Sequence, residues 1–250
     1  MILYFSATGN SEYVAKRIAR ETKDTTISMT DCYKKQMMTF DSDDEVIGII
    51  SPTYAWGLPN IVSDYLQNIS FKYKPKYIYF VATYGTTPGQ TGKFVEEILA
   101  KKGLELSAKF SVKMPDTWTP IFDLSNQEKV QQKNKEAEKE IDFIIKQIKN
   151  LETGDFMKNE SPYLLAQLVH HVMYEKMRKT KHFSVEDSCV GCGMCERNCP
   201  VSAIKLSEGK PTWVKEKCVM CLSCLHHCPK FAIEYGKNTK KHGQYIHDSL

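Results

Sequence analysis

The sequence lacks any stretch on which a membrane span could be built. Its longest uncharged run, Val46 to Ser63, covers 18 residues, a length at which a span becomes credible. Pro52, Gly57, Pro59 and Asn60 break that run, so it reads as strand, loop and helix start. The opening MILYFSATGN lacks the basic n-region and cleavage site of a secretory signal. A soluble, cytoplasmic protein in a reducing compartment is expected. Charge is nearly balanced, with 34 Lys and Arg against 30 Asp and Glu. No helix with clustered base contacts is apparent either, so a nucleic-acid partner is not expected. No nucleotide site suited to NAD(P)H is visible.

What the chain does have is cysteine in a pattern. Of nine cysteines, eight fall in two copies of C-x2-C-x2-C-x3-C-P. The first is Cys189, Cys192, Cys195 and Cys199 before Pro200; the second is Cys218, Cys221, Cys224 and Cys228 before Pro229. CVGCGMCERNCPVSAI and CVMCLSCLHHCPKFAI form an internal repeat offset by 29 residues. Disulfides would suit an even count, but nothing marks the chain as secreted. Zinc is normally held by paired CxxC knuckles rather than three cysteines on one loop and a fourth before proline. The run resembles that of bacterial ferredoxins, whose thiolates hold two [4Fe-4S] clusters, the fourth cysteine of each run reaching the other cluster. That resemblance implies one cluster on Cys189, Cys192, Cys195 and Cys228, and another on Cys218, Cys221, Cys224 and Cys199. The formal charge of +4 then misleads. Eight thiolates add about −8 and two oxidised cores return about +4, leaving a protein near neutrality. Cys32 stands alone and reads as a small buried hydrophobe.

At 250 residues and 42% hydrophobic, the chain has room for one large or two modest domains. Strand-like runs at Ile2–Ser6, Thr25–Met29, Val46–Ser51, Tyr77–Thr83 and Leu104–Met114 alternate with helix-like segments at Asn10–Thr22, Asn60–Ile69, Gly89–Lys101 and Gln127–Asn150. The pattern predicts an α/β doubly wound parallel sheet of five strands. Ligands of such sheets lie beyond the carboxyl ends of the strands, where strand order reverses. The loop after the first strand, Ser6-Ala7-Thr8-Gly9-Asn10-Ser11, enters a helix directly. It is neither G-x-G-x-x-G nor G-x-x-x-x-G-K-[ST] and holds no lysine. Its hydroxyls and helix-start amides suit a phosphate monoester, although a Ser/Thr-rich helix cap would look the same. The loop after the third strand carries Pro52, Thr53, Tyr54, Trp56 and Gly57. Its aromatic faces suit a flat ring system, and Gly57 gives freedom to turn an amide toward it. The loop after the fourth strand, with Thr83, Tyr84, Gly85 and Gly89, suits backbone contact with a ring edge.

Taken together, the three loops resemble those of flavodoxin, and the whole chain resembles the flavodoxin–ferredoxin fusion proteins of anaerobic bacteria. The resemblance covers about residues 1–150 and 184–236. It implies FMN as cofactor, with the Ser6–Ser11 segment on its phosphate and Trp56-Gly57 packed on the isoalloxazine, a peptide turned toward N5. Flavodoxins commonly surround FMN with acidic side chains, yet residues 51–63 and 83–95 contain no Asp or Glu. A less negative second one-electron couple is therefore expected.

The expected organisation is a flavodoxin-like domain over 1–155, a helical bridge over 156–183, a small α+β ferredoxin domain over 184–236 and a tail over 237–250. Ser161 to His182 reads as a helix entered through Pro162. Its broad face of Tyr163, Leu164, Leu165, Leu168, Val169, Val172, Met173 and Met177 is expected to be buried between the domains. The alternative is a membrane-surface or partner-docking helix with a basic end at Arg178, Lys179 and Lys181. His170 and His171 show no ligand spacing and suit polar contacts; His226 and His227 read as spacers. The tail lacks periodicity and is expected to be poorly ordered. The leading functional expectation is a carrier relaying electrons between the clusters and FMN. A partner protein would dock at the ferredoxin domain, and a second partner or small molecule would meet FMN. The alternative is a flavoenzyme fed by the clusters that reduces a quinone or nitro compound. Tyr54 and Tyr84 are its only nearby proton donors.

Overall fold

The computed structural model describes residues 1–41 and 43–248. Five strands carry the N-terminal part: β1 (Ile2–Tyr4), β2 (Thr26–Ser28), β3 (Val46–Pro52), β4 (Tyr77–Tyr84) and β5 (Ala108–Lys113). A sixth, β6 (Gly154–Asp155), joins the edge, where five strands were expected. At only two residues it carries no alternating pattern to read. The sheet is parallel in the order β2-β1-β3-β4-β5-β6. Strand order reverses between β1 and β3, where Tyr4 lies opposite Ile50.

Every residue of β4 is buried, as expected of a central strand covered on both faces. On one face α1 (Asn10–Thr22) and a long helix over Gln127–Lys149 bring Val14, Ile18, Ile141 and Ile145 against Tyr79, Val81 and Phe110. On the other, helices over Asn60–Asn68 and Thr91–Ala100 bring Ile61, Leu66, Val95 and Leu99 against Leu3, Ile49 and Phe80. Cys32 is buried in that second core, on a short helix over Met29–Lys35 that the sequence pattern did not reveal.

The bridge is a helix over Tyr163–Val169, continued by a π-helical turn at His170–Tyr174 and a last turn at Glu175–Met177. Its packing differs from the expectation of a buried leucine face. Ala166, His170 and Tyr174 lie inward, while Leu164 is 79% exposed and Leu168 61%. Four-residue spacing puts that small and aromatic trio on one side of the helix and the leucines on another.

The C-terminal part repeats itself in space. Short helices over Met194–Arg197 and Ser223–His226 follow the first cysteines of each run. Strand Phe183–Val185 pairs antiparallel with Ile233–Tyr235, and Ile204–Ser207 with Lys210–Trp213. The tail also differs from expectation. Thr239–His242 is helical, and Tyr245 and His247 are 6% and 5% exposed. Its last residues, Ser249 and Leu250, lie outside the described residues. Among the described residues, no helix is long and apolar enough to cross a membrane.

Candidate functional site

Each cysteine run is bent by residues with positive φ at matching places: Gly191 and Gly193 at 65° and 74° in one copy, Met220 and Leu222 at 55° each in the other. The bends turn successive thiols inward. A hollow with about 350 Å³ of empty space, partly open to solvent, is lined by Cys189, Cys192, Cys195 and, from the other run, Cys228. A second, with about 310 Å³ of empty space, likewise partly open, is lined by Cys218, Cys221, Cys224 and Cys199. The fourth cysteine of each run thus crosses to the other's cavity. Amides donate to the crossing thiols at matching positions, Ala203 N to Cys199 Sγ (3.1 Å) and Ala232 N to Cys228 Sγ (3.3 Å). Met220 N donates to Cys218 Sγ at 3.2 Å.

Burial, reinforced by the neighbouring Cys199, pushes the Cys218 thiol up to about 11, and burial pushes Cys221 and Cys224 up as well. Four thiols facing one another in an apolar hollow resist ionising unless a positive centre sits among them. This donor chemistry fits an iron–sulfur core in each cavity. The two differ in exposure. Cys192 is exposed and its neighbour Val190 is 59% exposed, whereas the thiol side of the second cavity is largely buried.

A third cavity, with about 1410 Å³ of empty space partly open to solvent, lies beyond the carboxyl ends of β1, β3 and β4. Eleven of the fourteen residues expected around the flavin line it: Ser6, Thr8, Asn10 and Ser11; Pro52, Thr53, Tyr54 and Trp56; Thr83, Tyr84 and Gly85. The other three, Gly9, Gly57 and Gly89, stand behind the lining and shape it. Gly9 caps α1 at φ 100° with no side-chain cap bond, so the first amides of the helix remain directed at the loop. Ser11 Oγ and Thr83 Oγ1 share a hydrogen bond of 2.8 Å across the cavity floor. Thr53 Oγ1 is buried with no hydrogen-bond partner among the described residues, a costly state unless a ligand satisfies it. The uncapped helix start, the orphaned hydroxyl and the aromatic walls fit a phosphate-bearing flat ring.

The turn at Trp56 differs in detail from expectation. Tyr54 N donates to Gly57 O (2.9 Å) and Gly57 N to Tyr54 O (3.0 Å), closing a tight turn. Ala55 and Trp56 hold the positive φ values, 46° and 66°, so the strain falls on them and the Gly57 amide is committed. Two non-glycine residues in the left-handed region cost about 1–3 kcal/mol each and persist only where surroundings enforce them. The enforcing contacts come from both sides. Gln90 N donates to Trp56 O at 3.0 Å. His170 Nδ1 lies 3.0 Å from Tyr54 O, and its ring occupies the place where a Cβ on Gly57 would go. His170 also stacks on Tyr174 at 5.0 Å. Tyr174 meets Tyr54 edge-on at 6.1 Å and donates to Val219 O at 2.9 Å. The bridge helix therefore joins the aromatic turn to the second cysteine run.

Sequence reasoning missed the residues that complete the cavity. Asp116, Trp118, Ile121 and Phe122 enter from the loop after β5, and Val169, Met173 and Met177 from the bridge. The signal available was Pro115-Asp116-Thr117-Trp118 directly after a strand. Asp116 supplies a carboxyl to a site read as free of acids: it fills the space beside Gly85 and accepts from Trp118 N at 3.0 Å. Burial raises its pKa above the ordinary carboxylate value. A carboxyl raised in the folded state costs stability above that ordinary value and nothing below it. Asp116→Asn, whose amide oxygen can keep the Trp118 bond, should therefore resist urea better than the parent near pH 7. The difference should close as the pH falls through the carboxylate range. A variant weaker than the parent at pH 7 would contradict the assignment.

Comparisons with known proteins give the following. The family model described as "Flavodoxin domain" matches residues 1–143, and the one described as "4Fe-4S dicluster domain" matches residues 188–233. Among solved structures, the chain is similar to the rubredoxin:oxygen oxidoreductase of the anaerobe Desulfovibrio gigas. That similarity is at 20% identity, over 58% of this chain and 35% of that one, with a TM-score of 0.38. It is similar to the Fusobacterium nucleatum flavodoxin bound to flavin mononucleotide at 16% identity, over 60% and 95% of the two chains, TM-score 0.37. A Streptococcus pneumoniae flavodoxin gives 16% identity over 57% and 97%, TM-score 0.37. The chain spans 35% of the length of the D. gigas protein. No curated protein matches it.

Proposed function

We propose, from the premise that this chain belongs to the flavodoxin family and carries a 4Fe-4S dicluster domain in the same polypeptide, that it relays electrons between two [4Fe-4S] clusters and FMN. The two domains together imply electron transfer, and their place in one polypeptide supports a relay within the chain. One observation carries it: Cys221 lines both the inner cysteine cavity and the large cavity. A cluster on the inner cysteines would touch the wall of the flavin site.

A thiolate-bound cluster exchanges single electrons and a flavin one or two. The chain supplies position. Cys189, Cys192, Cys195 and Cys228 would hold the outer cluster at the surface, where the exposed Cys192 and Val190 offer a partner protein access. Cys199, Cys218, Cys221 and Cys224 would hold the inner one. Ser6, Thr8, Asn10 and Ser11 would bind the phosphate, and Thr53, Tyr54, Trp56, Thr83, Tyr84 and Gly85 the ring, with Gly9, Gly57 and Gly89 setting the backbone. Tyr174 and Leu222, 1% and 2% exposed, line the same cavity as Cys221. Anaerobic purification with iron, sulfide and flavin assays tests the cofactor set. About eight iron and about eight sulfide per FMN are expected from two four-iron clusters, and a chain holding only one cluster would overturn it.

A second reading has its own support: reduction of a small molecule at FMN. The cavity mouth is walled by Met173 and Ile121, 51% and 66% exposed, together with Val169 and Met177 of the same apolar side. Buried Asp116 offers a proton source beyond Tyr54 and Tyr84. On this reading a quinone saturates the rate of flavin reoxidation, and Met173→Lys raises the quinone concentration needed for half-maximal rate. A rate linear in quinone and indifferent to that change would leave the carrier alone.

A further inference from the structure

The residues after Tyr235 fall outside both regions matched by family models, yet they make an ordered run of contacts across the molecule. From the helix Thr239–His242, His242 O accepts from Leu124 N at 2.8 Å and its Nδ1 lies 2.6 Å from Thr119 O, behind the cavity wall formed by Trp118 and Ile121. Gln244 Nε2 then donates to Leu225 O (2.7 Å) and Cys228 O (2.9 Å), inside the second cysteine run. Tyr245 N donates to His226 Nδ1 at 3.1 Å. With that nitrogen accepting, the opposite His226 nitrogen donates to Thr117 O at 2.9 Å. His226 is buried between Cys224 and Cys228, so its ring is a tie between the cysteine run and the cavity wall rather than a spacer.

The far end of the tail reaches the helix-start loop. Tyr245 Oη donates to Asn10 Oδ1 at 2.7 Å, while Asn10 Nδ2 donates to Pro115 O at 3.1 Å. His247 N donates to Thr8 O at 2.9 Å, and its ring stacks on Tyr13 of α1 at 4.1 Å. Thr8 and Asn10 are therefore held from outside the cavity by residues of the tail, and that same tail is held by the Leu225–Cys228 backbone.

We propose that the C-terminal tail is a strap coupling the two cofactor sites: the cysteine run, shaped around its clusters, holds the tail, and the tail holds the phosphate loop in its binding conformation. This rests on the reading of Ser6–Ser11 as the FMN phosphate loop. Tyr245 and His247 are positioning residues, since they act through Asn10 and Thr8. Coupling of this kind is reciprocal, so FMN binding also protects the clusters.

The test compares the full chain, Tyr245→Phe and a chain ending at Gly243, each with and without iron removed by a chelator. FMN affinity is read by fluorescence, and hydrogen exchange is followed at the amides of residues 6–11. Truncation should weaken FMN binding by about tenfold to a hundredfold, and Tyr245→Phe by about fivefold, from the hydrogen bonds each removes. Both should speed exchange in the loop. Removing iron should weaken FMN binding more in the full chain than in the truncated one, because only the full chain has a strap to release, whereas the contact through Cys221 is common to both. Unchanged affinity and exchange in both variants would overturn the proposal. So would an iron effect as large in the truncated chain as in the full one. Faster loop exchange in a chain that binds no FMN would uphold the strap and overturn the flavin reading instead.

Discussion

Cys221→Ser should uncouple the flavin from the clusters. Reduced by a one-electron carrier protein too large to enter the cavity, the variant should pass electrons to its flavin at least about a hundredfold more slowly than the parent. Outer-shell partners of metal ligands alone cost roughly 10–100-fold, and Cys221 is a ligand in this account. Of the eight cysteines in the two runs, Cys221 alone also lines the large cavity, so on the proposed relay its loss would remove a cluster corner and the contact with the ring site together. Cys192→Ser provides the contrast. Cys192 is exposed and belongs to the outer cavity, so its replacement should impair uptake from the partner while leaving transfer from the inner cluster to flavin intact. Stopped-flow absorbance separates the steps. Equal slowing of that inner step by both substitutions would contradict the order outer cluster, inner cluster, flavin.

Gly89→Ala should be the most damaging small substitution on the flavin side. Gly89 sits at φ +60°, and a Cβ there would lie 2.1 Å from Trp56 O and 2.4 Å from its carbonyl carbon and Cα. The obstacle is backbone, so no side-chain rotation relieves it. The conformational penalty and the overpacking add to about 2–6 kcal/mol of stability. Relief requires moving the Trp56 carbonyl off Gln90 N, which releases the strained turn, and FMN affinity should fall by about tenfold to a hundredfold for each 1.4–2.8 kcal/mol passed to the site. Gly103 is the control. It also has positive φ, +69°, but a Cβ there meets nothing within 4 Å. Gly103→Ala should cost about 1–2 kcal/mol of stability and leave FMN binding unchanged. Similar affinities for the two variants would mean that the Gly89–Trp56 contact does not shape the flavin site.

How much of this was legible in the sequence follows from which features carry a pattern. The cysteine spacing is a regular pattern that can be read directly, and the structure places Cys228 in the cavity of the first run and Cys199 in that of the second. Strand and helix periods located β1, β3 and β4 and the loops that follow them, because burial on both faces leaves near-continuous apolar runs such as Tyr77–Tyr84. Other features left no pattern. Asp116 and Trp118 lie on an irregular loop whose neighbourhood is set by β5 and the bridge, and a lone Pro-Asp-Thr-Trp says nothing about what it faces. Glycine was the obvious place to expect strain at the turn. Ala55 and Trp56 take it instead, because Gln90 and His170 fix the turn from outside and His170 needs the space Gly57 leaves. The bridge helix misled for a related reason. Hydrophobicity weights leucine above histidine, yet His170 and Tyr174 make the interdomain contact while Leu164 and Leu168 face outward. The tail, with Lys, His and Gly in no regular order, docks through single hydrogen bonds that composition does not encode.

The proposed relay requires that electrons cross inside one chain. Pulsed one-electron reduction of the clusters, followed by flavin absorbance over a wide range of protein concentration, measures this directly. A single polypeptide holding both cofactors on either side of Cys221 predicts a first-order rate that does not change on dilution. A rate falling in proportion to protein concentration would show transfer between molecules and contradict the relay.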